Sequence, residues 1–302
     1  MQKEIFKGLL ALFWCASLGV QAQEPSVVHG EINYYPDFES DIVESRPLAV
    51  WTPPGYQPGT EYPVIFMYDG QMLFDASTTW NKKAWDVDDV FGQAIIDSIL
   101  PPALVVGLWN ISEIRYQEYF PEGAFDNIPT EISDEIRNVG MNGEWPLSDD
   151  YLEYVVDEIL PFVEENFSVN PSQFYIMGSS MGGLMSMYAL CEYPETFQAA
   201  ACVSPHFLGV FSYIPEVTGG FVEYMKERLP ETTDSTRIYM DYGDQTLDSL
   251  YAPAQARVDS LMIELGWPSA RWTTEFFPGA AHDEVSWKAR LMTPLTFLLK
   301  PE

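Results

Sequence analysis

The chain has 302 residues, 47% of them apolar and 20% charged, which excludes a disordered or fibrous protein and leaves length for one large or two small domains. Against 45 Asp+Glu stand only 15 Lys+Arg, a formal charge of −30. A surface that negative repels phosphate backbones and anionic lipid heads, which argues against nucleic acid as a partner.

Residues 1–22 read as an export signal. Lys3 and Lys7 form a short basic start, 8–20 is an apolar run, and Val20-Gln21-Ala22 places small residues at the −3 and −1 positions of a cleavage site. The run is shorter than the roughly 20 apolar residues a bilayer requires, and no later stretch reaches that length. The expectation is an exported protein, periplasmic or secreted, without membrane insertion. Cys15 lies in this leader, behind Phe13 and Trp14, which are too bulky for lipoprotein processing. Cys191 and Cys202 remain, both in apolar surroundings; they read as buried thiols, with one disulfide as the alternative in an oxidising compartment.

Strand-like apolar runs follow at 48–51, 64–68, 103–109, 173–177, 198–203, 237–242 and 272–277. They are continuous rather than alternating, which marks strands buried on both faces and hence a mainly parallel central sheet flanked by helices on both faces. Helices are predicted at 85–99, 151–166, 184–190 and 251–265. The first opens with Asp86, Asp88 and Asp89, which suit a helix N-terminus and lack the spacing and glycine of a calcium loop. The second follows a Ser148 cap and carries Pro161 as a kink. Strand and helix alternate through a single α/β domain from 23 to 302. Residues 119–145 break the alternation, being polar with Gly123, Gly140, Gly143, Pro121 and Pro129. The stretch to about 147 reads as a lid-like loop, or else a plain surface excursion.

The run at 173–177 enters Gly178-Ser179-Ser180-Met181-Gly182, a G-x-S-x-G sequence between a buried strand and a helix. Glycines two before and two after a serine permit a turn tight enough to lift its hydroxyl clear of the sheet. Ser180 is then the candidate nucleophile, and the Met181 N–H points at a developing oxyanion. Serine needs a base, and the chain offers three histidines. His29 precedes every core strand. His206 follows the strand after the elbow helix and is placed to line a pocket. His282 lies past the last strand, where the base of this chain order belongs. The acid should leave the strand at 237–242, where Asp244 and Asp248 both follow; position alone does not separate them, and Asp241 lies within the strand.

These residues resemble the esterase branch of the α/β-hydrolases that includes feruloyl and acetylxylan esterases, esterase D, enterochelin esterases and mycolyltransferases. The likeness runs from about Leu48 to Leu299. It rests on Trp51-Thr52-Pro53-Pro54-Gly55-Tyr56, Tyr68-Asp69-Gly70-Gln71-Met72-Leu73-Phe74, Arg115-Tyr116-Gln117-Glu118-Tyr119-Phe120-Pro121, the elbow, Tyr193-Pro194-Glu195-Thr196-Phe197, Asp241-Tyr242-Gly243 and His282-Asp283-Glu284-Val285-Ser286-Trp287. The resemblance implies the α/β-hydrolase fold and a Ser180/Asp248/His282 triad. Extra residues between Gly243 and Asp248 depart from the feruloyl-esterase pattern and keep Asp244 in play. It also implies a second oxyanion donor at Gly70 or Gln71, and an Arg115/Glu118 pair beside the pocket, as substrate contact or as internal salt bridge. Trp80, Trp109 and Trp145 lie near loops that would cradle a sugar or phenolic acyl group.

No metal or cofactor is called for. The expected activity is hydrolysis of an extracytoplasmic ester through an acyl-enzyme, the partner being a small-molecule or carbohydrate ester: an acyl-decorated carbohydrate, a feruloyl or acetyl ester, or a siderophore lactone. A periplasmic acyltransferase with the same triad and a non-catalytic binding module are the alternatives.

Overall fold

Eight strands form one sheet in the computed structural model, which describes residues 23–230 and 236–300. The predicted export signal lies outside the described residues. The strands are β1 (Glu31–Phe38), β2 (Arg46–Thr52), β3 (Tyr62–Tyr68), β4 (Leu104–Leu108), β5 (Val169–Ser179), β6 (Ala199–Val203), β7 (Arg237–Tyr242) and β8 (Trp272–Phe276). They lie in the order β1-β2-β4-β3-β5-β6-β7-β8, antiparallel across β1, β2 and β4 and parallel from there on. The continuous apolar runs have the predicted cause. Val64, Phe66 and Tyr68 of β3 pack into one core, while Ile65 and Met67 pack into another on the opposite face.

Strand β1 was not legible in the sequence. Its residues are half exposed, it lies at the sheet edge, and its register shifts between Tyr35 and Phe38, where Pro36 interrupts the ladder.

The helices are α1 (Val87–Ile96), α2 (Arg115–Glu118), α3 (Thr130–Gly140), α4 (Ser148–Glu153), α5 (Leu160–Asn166), α6 (Met181–Glu192), α7 (Pro215–Arg228), α8 (Ala252–Glu264), α9 (Glu284–Arg290) and α10 (Met292–Leu299). The irregularity expected at Pro161 is a π-wide stretch, Tyr154–Ile159, which joins α4 to α5 and relieves the clash of the ring with the preceding turn. Ser148 is the first residue of α4 rather than its cap, and its hydroxyl accepts the Glu122 N–H at 2.9 Å.

The segment at 119–147 is a helical excursion rather than a loop. A 3₁₀ turn (Glu122–Asn127) and α3 build it, and Phe120 packs on Phe125 and on Phe221 of α7. Its apolar set, Phe125, Ile128 and Ile136, is sparse but buried, so local polarity concealed a helix. Cys191 and Cys202 are buried free thiols, and burial pushes both thiols upward in pKa. Among the described residues no helix is long and apolar enough to cross a membrane.

Turns that leave the carboxyl ends of β3, β5, β6, β7 and β8 meet along one edge of the sheet, the usual place for a site in an open α/β fold.

Candidate active site

Ser180 joins β5 to α6 with φ 57° and ψ −123°, a conformation strained for any residue with a side chain. The flanking glycines permit it. A Cβ on Gly178 would stand 2.6 Å from the Gly182 carbonyl carbon, and one on Gly182 would stand 2.9 Å from Tyr68 Cβ. The turn is pinned on both sides, since Ser180 N–H donates to Val203 O at 3.0 Å and Ser180 O accepts from Leu184 N–H and His206 N–H, each at 3.0 Å.

The β3 turn lies beside this elbow because β3 and β5 are parallel neighbours, with Met67 opposite Met177. Gly70–Met72 is a short 3₁₀ turn that follows Asp69 at φ 58°. Gly70 is sterically required, since a Cβ there would be 2.2 Å from Trp109 Cε3. Trp109 therefore supports the turn from below, 8% exposed, rather than lining a surface. Trp80 and Trp145 are exposed, and Arg137 lies over the Trp145 ring.

Arg115 and Glu118 do not pair with each other. Arg115 holds Asp69 with two bonds of 2.6 and 2.8 Å, and Asn110 donates to the same carboxylate at 2.7 Å. Glu118 is buried against Arg46 at 2.6 Å and accepts the Ile111 N–H at 3.1 Å, so it is closed to a substrate. The Gln71 side chain donates to Asn110 at 2.9 Å.

Asp248 and His282 come together from turns after β7 and β8. His282 Nδ1 is 2.6 Å from Asp248 Oδ1, and the carboxylate is fully buried. Oδ2 accepts the Gly243 N–H at 2.7 Å and the Ser204 hydroxyl at 2.7 Å. Burial by itself would raise this carboxyl, but hydrogen bonds from His282, Ser204 and Gly243 outweigh it and hold the pKa below the ordinary value. The His282 ring stands edge-on to Trp287, 5.0 Å between centroids, and its backbone N–H donates to Thr246 Oγ1 at 2.8 Å. Asp244 serves the same turn differently: its carboxylate accepts the Gly279 N–H at 2.8 Å and a bond from Gln245.

Behind Asp248 lies a network that the sequence did not announce. Arg290 donates to Ser204 Oγ at 2.8 Å and to both oxygens of buried Asp241. Burial raises the Asp241 pKa despite that partner. A charged residue inside a buried strand was the available signal for Asp241; Ser204 and Arg290 carried none.

His206 is buried with its Nδ1 2.7 Å from the Tyr251 hydroxyl. Burial, reinforced by the nearby charges of His282 and Arg115, pushes its pKa down to about 3, so the imidazole is neutral. Burial raises the Tyr251 pKa well above the ordinary value, and the Ser180 side chain acts against that rise.

A strained serine at a helix start and a histidine paired to a buried carboxylate thus lie on turns at one edge of the sheet. A family model described as Putative esterase matches residues 40–298. The chain belongs to that esterase family. Two Bacillus subtilis proteins are similar to it: the uncharacterized protein YbbA, 27% identical over 163 residues, and the ferri-bacillibactin esterase BesA, 24% identical over 184 residues. The matches take in 53% and 58% of this chain, and 56% and 57% of the relatives, so the chain spans little more than half the length of either. Among solved structures, an IroE-like serine hydrolase from Shewanella oneidensis superposes with a TM-score of 0.67 at 18% identity, over 89% of this chain and 80% of that one. At that identity the likeness shows the fold, an α/β-hydrolase.

Proposed function

We propose that this family member is a serine carboxylic-ester hydrolase working through an acyl-enzyme on Ser180. The observation that carries the reading is the 2.6 Å contact of His282 Nδ1 with the buried Asp248 carboxylate, on turns that converge with the Ser180 elbow. In this reading His282 takes the Ser180 proton as the hydroxyl attacks the ester carbonyl, and Asp248 holds the imidazole in the tautomer that leaves Nε2 free. Met181 N–H, with Gly70 or Gln71 N–H from the neighbouring turn, stabilises the oxyanion. The leaving alcohol collects the proton from His282, and water then repeats the sequence to release the acid.

Export through residues 1–22 would put residues 23–302, as one esterase domain, outside the cytoplasm. The substrate class that fits is an extracytoplasmic ester: a siderophore lactone, for which the named B. subtilis esterase speaks, a feruloyl or acetyl ester, or an acylated carbohydrate. Arg115 and the exposed Trp80 and Trp145 are the side chains proposed to meet it.

Mass spectrometry after fluorophosphonate treatment tests the assignment. One adduct on Ser180, absent from Ser180→Ala and from heat-denatured protein, is expected. An unlabelled native protein would overturn it and favour a binding module. Among chromogenic and natural esters, product found on an added sugar instead of in water would identify acyl transfer.

A further inference from the structure

Tyr251 and His206 form a buried pair for which the triad has no use. Each is 2% exposed, and the imidazole Nδ1 and phenol oxygen are 2.7 Å apart. Both are anchored to the site through their backbones. His206 N–H donates to Ser180 O at 3.0 Å, and Tyr251 N–H donates to Asp248 O at 3.0 Å. The Tyr251 ring meets the His282 ring at 73°, with 5.5 Å between centroids. The phenol hydroxyl is thus bonded to the His206 imidazole, and its ring lies beside that of His282, in a corner that His206 ties to the Ser180 backbone.

Resting on the reading of Ser180 as nucleophile, we propose that Tyr251 is a further catalytic residue: its hydroxyl, oriented by His206, donates a hydrogen bond to Ser180 Oγ and accelerates deacylation. Once Ser180 is acylated, Oγ has no proton and only accepts, so Tyr251 donates to it while His206 Nδ1–H donates to the Tyr251 oxygen. During deacylation water attacks the acyl carbon and loses a proton to His282. The carbon–Oγ bond then breaks with its electron pair passing to Oγ, which recovers that proton. Tyr251 keeps its own proton throughout. A bridging ester oxygen is a weak acceptor, so this hydrogen bond strengthens as charge develops on Oγ, which is the differential that accelerates a step. Acylation gains less, because a free serine hydroxyl is a better acceptor than an ester oxygen and holds the same bond before attack. His206 is a positioning residue, and its neutrality keeps a second positive charge away from the imidazolium that forms on His282.

The test separates acylation from deacylation in the full chain. Acylation is read as the rate of Ser180 labelling by a fluorophosphonate, and deacylation as turnover of p-nitrophenyl acetate with the acetyl-enzyme followed by mass. Tyr251→Phe is expected to lower turnover on the order of 10²-fold, the usual cost of losing one donor to a developing anion. Acetyl-Ser180 should accumulate in a one-equivalent burst, with labelling slowed less than about threefold. His206→Phe should act in the same direction, and His206→Asn, which keeps a donor near the Nδ1 position, should restore most of the turnover. Equal losses in labelling and turnover, or no loss in either, would overturn the proposal. A wild-type protein unlabelled at Ser180 would instead remove the serine reading itself, and this proposal with it.

Discussion

The hydroxyl of Ser204 donates to Oδ2 of Asp248 at 2.7 Å, with both of its accepting directions filled from behind. Arg290 donates to it at 2.8 Å and Trp287 at 3.3 Å, so a fully buried hydroxyl has all its bonding capacity used. Ser204 reaches this position with φ 42°, and its backbone N–H donates to Asp241 at 3.0 Å. The Arg290–Asp241 ion pair thus fixes the serine that holds the Asp248 carboxylate.

Ser204→Ala should therefore act on catalysis through Asp248. With one of its donors gone, the carboxyl loses part of what holds its pKa down, and the pKa rises. The acid limb of the kcat/KM profile is expected to shift upward, with a loss of roughly tenfold near neutrality, the scale of a lost orienting bond. An unmoved profile with lowered stability would reduce Ser204 to packing.

Asp248 and Asp244 separate by substitution. Asp248→Asn leaves the shape intact but presents an amide that disfavours the working tautomer of His282, a change that costs about 10⁴ in kcat in a triad of this kind. Asp244→Asn should cost less than about tenfold, because its carboxylate bonds Gly279 N–H on the turn and not the imidazole. Measured kcat values for the two variants on one ester decide it, and the reverse ranking would move the acid to Asp244.

Position alone did not separate 248 from 244 in the sequence, for a physical reason. Thr246 adopts φ 54°, and the 3₁₀ turn from Thr246 to Leu250 folds residue 248 back under the His282 turn. Such a reversal is decided by tertiary contacts, here the bond from His282 N–H to Thr246 Oγ1. The elbow was legible because steric exclusion at Gly178 and Gly182 leaves a fixed pattern around Ser180. The parallel sheet was legible because burial on both faces leaves unbroken apolar runs. Pairings between distant residues left no trace: Arg115 with Asp69, Arg46 with Glu118 and His206 with Tyr251 join positions 46, 72 and 45 residues apart.

Gly70→Ala tests the proposal of a second oxyanion donor at Gly70 or Gln71. The added methyl would meet the Trp109 ring and the Gly107 backbone, so the 3₁₀ turn and these neighbours cannot all keep their places. A donor pair displaced in this way should lower kcat by about 10²-fold with KM little changed, because the bond is made chiefly in the transition state. The check is a kcat and KM pair beside a thermal melt. A rise in KM alone would place Gly70 in ground-state binding.

His206 also links stability to pH. Its folded pKa of about 3 lies below the ordinary value of 6.5 because burial disfavours the charged ring. Between those values the unfolded chain binds a proton that the folded protein refuses. The stability at stake is present in full above pH 6.5 and is lost as the pH falls toward 3, at up to about 1.4 kcal/mol per pH unit. His206→Asn removes the titrating group, so urea unfolding between pH 7 and 4 should give that variant a shallower loss than the wild type. Parallel slopes would mean that His206 carries its proton in the folded state, and a charged ring next to Tyr251 and His282 would follow.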